Sequence, residues 1–397
     1  MTKPLDGIRV LDLTNVLAGP FCCHQLVHFG AEVIKVEAPG RGDLARQLGA
    51  DPELNKTGMG VSFLAQNAGK KSVTLNLKSE KGKALLKRLV ASADVLVENF
   101  RPGVMKRLDL DYDVLKDVKP ELIYCAISGF GQDGPWVDRP AYDQIIQGTS
   151  GVMSITGDAE TGPLRAGYPL ADTIGGMTAA FAISAALNAR PRGSFIDVSM
   201  LESVIATMGW VVSNHLIAGQ TPEPRGNENW TSAPSGAFET ATGLLNIAAN
   251  KDEQWALLTR HLELDALRDR PEYKTREDRK RNRYALRAEL EEMLRTRPAQ
   301  EWADELNAIG VPAGVVLTVG EVLKAPQIAE RGFLAEFENV PGVERDIKAV
   351  TTGTKLDGKA PSVEAPPPQL GQDNQMIWQE LGVSHEDLAA LKEDGVI

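Results

Sequence analysis

The 397-residue sequence predicts an α/β protein, with a doubly wound parallel sheet in a large domain and a smaller α+β domain. Three observations carry that expectation. Short β-rich runs alternate with helical runs through the first half, the pattern of parallel strands joined by crossover helices. The segments that follow those runs are rich in Gly, Pro, Asn and Arg, as the ligand-facing edge of such a sheet requires. From residue 232 to 319 the pattern changes, and a hairpin signal at Thr242-Gly243 is followed by helical segments.

Element by element, residues 8–13 read as the first strand and 21–29 as a short helix. Strands follow at 32–36 and 72–77. Residues 79–92 form an amphipathic helix with Leu85, Leu86, Leu89 and Val90 on one face. Further strands are expected at 94–97, 122–127 and 195–198. A helix opens at Asp172 and runs to Leu187, and another spans 201–217. The loops at the carboxyl ends of the strands, 14–20, 37–43, 98–103 and 128–135, form the expected ligand rim.

The second part reads as helices at 252–262, 276–294 and 299–309. The tail holds a short helix, a β-rich stretch at 336–350, and helices at 375–381 and 385–391 whose apolar faces need a surface. The domain expectation is a large domain over 1–200, a linker over 201–230, a small domain over 231–320, and a return to the large domain over 321–397.

Charge and cysteine content narrow the function. The net charge of −11, from 43 Lys and Arg against 54 Asp and Glu, disfavours nucleic acid and anionic membranes as partners. A phosphorylated ligand would need a local basic patch. Lys70, Lys71, Lys78, Arg101, Lys106 and Arg107 form a loose basic set that is either such a patch or solvated surface. Cys22, Cys23 and Cys125 make no disulfide framework and no metal spacing, which fits a reducing cytoplasm. No N-terminal apolar run and no stretch of about 18 apolar residues is seen, so neither a signal peptide nor a membrane span is expected.

Small motifs divide. Gly129 to Gly134 matches GxGxxG after a strand, but Pro135 and Pro140 interrupt where a dinucleotide site needs a helix. A glycine loop over an active site is the better reading. His24 and His28 are four apart with no carboxylate between them, which points to a structural pair and not to metal ligands. Asp172 sits at a helix start with Gly175 and Gly176 in the helix's first turn. The helix dipole would hold that carboxylate ionised, bare backbone would admit a ligand closely, and the first amides would stabilise an oxyanion. Read alone, the same pattern is an ordinary helix cap.

Several segments together resemble the class III CoA-transferases, the family of formyl-CoA and carnitine CoA-transferases. They are Leu11-Asp12-Leu13-Thr14 with Ala18-Gly19-Pro20; Gly30 to Glu37 with Gly42-Asp43; Asp94 to Phe100 with Pro102-Gly103; and Gly129-Phe130-Gly131 with Gly134-Pro135. Gly310-Val311-Pro312 and the tail from Pro366 to Gln372 extend the likeness over essentially the whole chain. The resemblance implies a Rossmann-like large domain, a small domain between its two parts, and two chains interlocked as rings in a homodimer. It implies Asp172 as a nucleophile that forms aspartyl anhydrides and an aspartyl-CoA thioester. Acyl-CoA and a carboxylic acid would be the substrates, with no tightly bound cofactor and no metal.

Position by position, the likeness places Leu17 and Ala18 on the loop that meets CoA. Leu75, Lys78, Asn99, Phe100, Arg101 and Arg107 match positions holding adenine, pantetheine and phosphates. Ser128, Gly129 and Phe130 match the segment near the thioester. Relatives often carry Arg where this chain has Ala38, and Arg41 stands three residues on as the replacement charge. Where formyl-CoA transferases carry consecutive glycines, this chain has Ser232 to Phe238, with Ser235 and Gly236 as substrate candidates, which argues against an oxalate/formate pair.

The 2-methylacyl-CoA racemases of the same superfamily place a His base where Tyr142 stands here, and a phenol is a poor base at neutral pH. Tyr142 is kept as a substrate contact. Likeness to succinyl-CoA-dependent members implies a succinyl-CoA donor and a C4–C6 dicarboxylate acceptor. Arg165 and Arg225 are candidates for the distal carboxylate. Intramolecular transfer within mesaconyl-CoA is a variant using the same aspartate.

Overall fold

The computed structural model describes residues 3–397. The chain forms two compact units. One takes the chain up to Val152, Arg165–Gln220 and Pro326–Ile397; the other takes Met153–Leu164 and Thr221–Ala325.

The first unit is built on a six-stranded sheet, β1 Arg9–Asp12, β2 Glu32–Glu37, β3 Lys71–Thr74, β4 Val95–Glu98, β5 Ile123–Ser128 and β6 Ser194–Ser199. The strands are ordered β3-β2-β1-β4-β5-β6 and every pair is parallel. The order reverses between β1 and β4, so the crevice at their carboxyl ends is where a ligand is expected.

Helices of this unit include α1 Ala18–His28, α2 Val61–Asn67, α3 Glu80–Ala91, α4 Tyr112–Val118, α5 Asp143–Thr149, α6 Leu170–Leu187, α7 Met200–Thr207 and α8 Gly209–Ala218. Alternate strand residues face opposite layers. Val10, Val33, Val95, Val97 and Cys125 pack with residues of α1, α6 and α7. Leu11, Ile34, Leu96 and Tyr124 pack with residues of α3 and α4.

The tail completes that second layer. Two late helices, Asn374–Glu380 and His385–Glu393, bring Ile377, Trp378 and Leu388 to it. Trp378 is fully buried, which contributes on the order of 4 kcal/mol. The tail also satisfies the sheet edge. The Ser72 amide donates to Asp373 Oδ2 at 2.7 Å and the Thr74 amide to Asn374 Oδ1 at 2.8 Å, so β3 presents no open ladder there.

Two expectations change in this unit. Residues 201–218 are not linker, because Met200 and Val204 of α7 are buried in the α6 layer. The compact large unit therefore reaches Gln220, while 153–164 belongs to the other unit. One helix is also apolar and long enough to span a membrane by composition, the 18-residue α6, although no such stretch was expected. It packs against α1, α5, α7, β5 and β6, and it carries Asp172.

The second unit holds an antiparallel sheet, β7 Ser235–Thr240, β8 Gly243–Ala248 and β9 Ala313–Val315. Its hairpin turns at Gly243, whose φ of +98° suits glycine. Phe238, Leu245, Trp255, Leu286, Leu290 and Trp302 form its core. The helix expected over 276–294 is broken at Asn282, giving Arg276–Arg281 and Arg283–Leu294. Two further strands, β10 Leu334–Phe337 and β11 Ile347–Val350, pair antiparallel within the first unit.

Candidate active site

The loops after β1 and β4 are clamped to each other. Asn99 Nδ2 donates to the Asn15 carbonyl at 2.8 Å, and Asn99 Oδ1 accepts the Asn15 N–H at 2.8 Å. Asn99 therefore has its amide spent on bracing the crevice. Next to it, Val16 adopts φ +67°, a strained conformation for a β-branched residue. Its N–H is held by Asp43 Oδ1 at 2.9 Å. The Phe100 N–H donates to Glu98 Oε2 at 2.7 Å, and burial pushes the Glu98 carboxyl up to about 8.

A buried ionic network underlies these loops. Lys35 Nζ donates to the Thr14 carbonyl at 2.8 Å and pairs with Asp43 at 3.0 Å; Lys70 Nζ pairs with Asp12 at 2.8 Å. Burial opposes ionisation of Asp12, but Lys35 and Lys70 outweigh it and hold the carboxyl well below its ordinary range. Glu37 takes Arg46 bidentately, both contacts at 2.7 Å. Lys70 is thus an internal counter-ion and no part of a phosphate patch, and Lys71 pairs with Glu32. A lysine read from its neighbours in sequence shows nothing of the carboxylate that folding places beside it.

The other basic candidates stay at the surface. Arg41, Lys78, Arg101, Lys106 and Arg107 are exposed. Arg41 lines a cavity of about 540 Å3 with Gln47, Asn55, Lys56 and Gln369. Leu17 precedes the first turn of α1, Ala18 is buried, and Phe100 is half-buried. Leu75 lies in the core and its N–H donates to the Glu37 carbonyl, so its side chain is not presented to a ligand.

Beyond β5, Ser128 Oγ accepts the Gly131 N–H at 3.0 Å. Gly129 is pressed against Ala141. Phe130 meets Trp136 edge-on with ring centroids 5.5 Å apart. Between the end of β5 and Asp143 no helix begins, so the GxGxxG run is a loop and not a dinucleotide turn.

Asp172 is the third residue of α6, not its cap; Pro169 holds the cap position without a side-chain bond. The first amides of α6 are already engaged. Leu170 donates to Tyr168 O at 2.8 Å and Thr173 to Pro169 O at 3.0 Å. Ala171 and Asp172 donate to Asp143 Oδ1 at 2.8 and 3.3 Å. The expectation that these amides stabilise an oxyanion is therefore corrected. So is the expectation that Asp172 is held ionised, since burial and then the neighbouring Asp143 push its carboxyl up to about 7.

The glycines also serve a different purpose from the one expected. A Cβ on Gly176 would strike the Ala18 carbonyl, and one on Gly175 would lie 2.8 Å from Met200 Cγ. Both are buried and let α1 and α7 pack closely on α6. They bring the Leu17–Ala18 loop and the Asp172 helix together without opening backbone to a ligand.

Asp143 and Gln147, which hold the start of α6, are missed by reasoning from sequence. The one signal was the place of Asp143 beside Tyr142, in the segment 141–144 that aligns with the racemase base; Gln147 had none. Tyr142 is exposed beside them, and Arg165 is exposed with its Nε donating to the Ala166 carbonyl. Ser235 and Gly236 line a cavity of about 500 Å3 within the second unit, with Glu228 and Asn246. Arg225, in that unit, stacks its guanidinium on Trp230 at 3.9 Å. His24 and His28 are buried with their rings 4.4 Å apart. Among the described residues no cluster of three or more His, Cys, Asp or Glu side chains is placed to hold a metal.

The first unit thus holds a loop edge at a sheet switch point and a half-buried aspartate on a glycine-bearing helix that packs against it. The family model described as CoA-transferase family III matches residues 5–374. The chain belongs to CoA-transferase family III. Human succinyl-CoA:glutarate CoA-transferase is 36% identical over 382 residues, covering 96% of this chain and 86% of that protein. Acetyl-CoA:oxalate CoA-transferase of Acetobacter aceti is 40% identical over 341 residues, covering 85% of this chain and 87% of that one. The crystal structure of a CAIB/BAIF family protein from Brucella suis matches with a TM-score of 0.83 at 34% identity, over 96% of this chain and all of the other. This family III CoA-transferase is an enzyme of the class III type.

Proposed function

We propose that this CoA-transferase moves CoA from succinyl-CoA to a C4–C6 dicarboxylate, with Asp172 as the nucleophile. The observation that carries the reading is the half-buried Asp172 carboxyl on a helix pressed against the Leu17–Ala18 loop. A desolvated carboxylate attacks more readily than a hydrated one. An Asp172 oxygen bonds to the thioester carbonyl carbon, the C–S bond breaks, and CoA leaves as thiolate with the electron pair. The thiolate attacks the aspartyl carbonyl of the mixed anhydride, freeing succinate and leaving an aspartyl-CoA thioester. The acceptor carboxylate attacks that thioester and expels thiolate again. Thiolate attack on the acceptor's acyl carbon then releases the new acyl-CoA and restores the Asp172 carboxylate. Arg41, Lys78, Arg101 and Arg107 are the exposed cations available to CoA phosphates.

The experiment is CoA transfer from succinyl-CoA to a panel of carboxylic acids that includes glutarate, mesaconate, itaconate, citramalate and oxalate, read by mass spectrometry beside Asp172→Ala. A dicarboxyl-CoA product that vanishes in the variant supports the reading. Transfer to oxalate alone would overturn the acceptor class, and full transfer by Asp172→Ala would overturn the nucleophile.

The working form we propose is the interlocked homodimer. Phe181 on α6 and Trp210, Leu216 and Ile217 on α8 are 76%, 79%, 76% and 86% exposed. Apolar side chains so concentrated on two helices suit a second copy of the chain. Light scattering on the purified protein would return twice the chain mass; a monomer at micromolar concentration would sink the proposal.

A further inference from the structure

Gln147 is fully buried and uses its whole amide. Its Nε2 donates to Asp143 Oδ2 at 2.7 Å and to the Tyr168 carbonyl at 3.2 Å, and its Oε1 accepts the Ala166 N–H at 2.8 Å. Asp143 Oδ1 accepts the N–H groups of Ala171 and Asp172. Two side chains one turn apart on α5 thus grip the backbone of the segment leading into α6 at Ala166, Tyr168, Ala171 and Asp172. Tyr168 itself is exposed, so the hold on this segment comes from beneath.

We propose that Asp143 and Gln147 are positioning residues for the nucleophile: together they fix where α6 begins and hence the direction in which the Asp172 carboxylate faces. This rests on the reading of Asp172 as the nucleophile. The need for such a device is physical. Attack on a thioester demands a near-attack geometry, and a misplacement of about 1 Å costs about 100-fold in rate. A helix start without a side-chain cap of its own is free to fray or shift register by a residue. Asp143 replaces the missing cap from a neighbouring helix, and Gln147 locks Asp143 in that rotamer.

Asp143 has a second effect through its charge. The titratable groups on the elements packed against α6 are Asp143 on α5, Cys22, Cys23, His24 and His28 on α1, Tyr124 and Cys125 on β5, Asp197 on β6 and Glu202 on α7. Of these, Asp143 is the one whose charge adds to burial in raising the Asp172 carboxyl. Removing that charge moves the ionisation of Asp172 downward, which a purely structural brace would not do.

The test compares full-length wild type, Asp143→Ala, Gln147→Ala, Asp143→Asn and Asp172→Asn by steady-state kinetics across pH. Loss of the grip is expected to lower kcat by about 10- to 100-fold in either Ala variant, with KM for acyl-CoA nearly unchanged. Asp143→Asn keeps an acceptor oxygen and the side-chain volume, so it keeps the test open where an Ala variant does not fold. It is expected to recover part of kcat and to shift the acid limb of the kcat profile to lower pH. Folded Asp143→Ala and Gln147→Ala with wild-type kcat would overturn the proposal, as would an unmoved acid limb in Asp143→Asn. Full turnover by Asp172→Asn would instead overturn the nucleophile reading. An inactive Asp172→Asn beside unaffected Asp143 and Gln147 variants would overturn the positioning role alone.

Discussion

The carbonyl oxygen of Ala18 occupies the space that a side chain on Gly176 would need. That contact joins the loop expected to meet CoA to the helix carrying the nucleophile, and backbone cannot yield as a side chain can. Gly176→Ala should therefore cost about 1–3 kcal/mol by overpacking and lower kcat, because α1 and α6 must separate. Gly175→Ala meets the flexible Met200 side chain instead and should be milder. Thermal melts and kinetics of the two variants check the contrast; equal effects would refute it.

Activity should depend on a group ionising near neutrality. Burial and Asp143 push the Asp172 carboxyl up to about 7, and the nucleophile is the carboxylate. Below that pH the rate should fall about tenfold per unit. The sign for stability is the opposite of the usual carboxylate. The folded state binds the Asp172 proton more tightly than the unfolded chain, so ionisation costs stability progressively from about 4 to about 7 and in full above. Asp172→Asn should accordingly melt higher than wild type at pH 8, with the difference shrinking toward pH 4. A variant that melts lower at pH 8 contradicts this.

Acid should attack the α1 layer. Burial and then the charge of Lys3 press His28 down to about 4, and burial, His28 and Lys70 hold His24 well below its ordinary 6.5. Both rings fold neutral, so stability present above pH 6.5 is lost as the pH falls toward 4. Differential scanning of wild type against a His24→Leu, His28→Leu double variant should show a flatter fall in melting temperature over that window. Parallel curves would mean that these rings are not the sensitive groups.

Two lysines eight residues apart should behave as opposites. Lys70→Ala leaves Asp12 buried beside one remaining lysine, which costs about 3–5 kcal/mol. Lys78→Ala, at an exposed position, should leave the melting temperature unchanged and raise KM for acyl-CoA. Chemical denaturation and kinetics separate the two; a stability loss at Lys78 or none at Lys70 would contradict the assignment.

The strands were legible because burial on both faces writes continuous apolar runs such as Ile123 to Ile127 into the sequence. Asp172 was legible as a residue, but its surroundings were not. Whether Gly175 and Gly176 face ligand or neighbouring helices depends on what packs there, and no periodicity encodes it. Lys70 read as part of a phosphate patch or as solvated surface because its partner, Asp12, is 58 residues away in the sequence. Asp143 and Gln147 were overlooked because a cap supplied by another helix leaves no local signature. The break at Asn282 was hidden in a continuous helical pattern.

The pairing of Ser72 and Thr74 with Asp373 and Asn374, 301 and 300 residues later, has a bearing on synthesis. A ribosome delivers β3 about 300 residues before its edge partners. The nascent first unit must wait with that edge unpaired while the second unit, which lies between in the chain, emerges and folds. Asp373 and Asn374 therefore decide whether the sheet is sealed or left open to another chain, and a product lacking them would be adhesive in place of merely shortened.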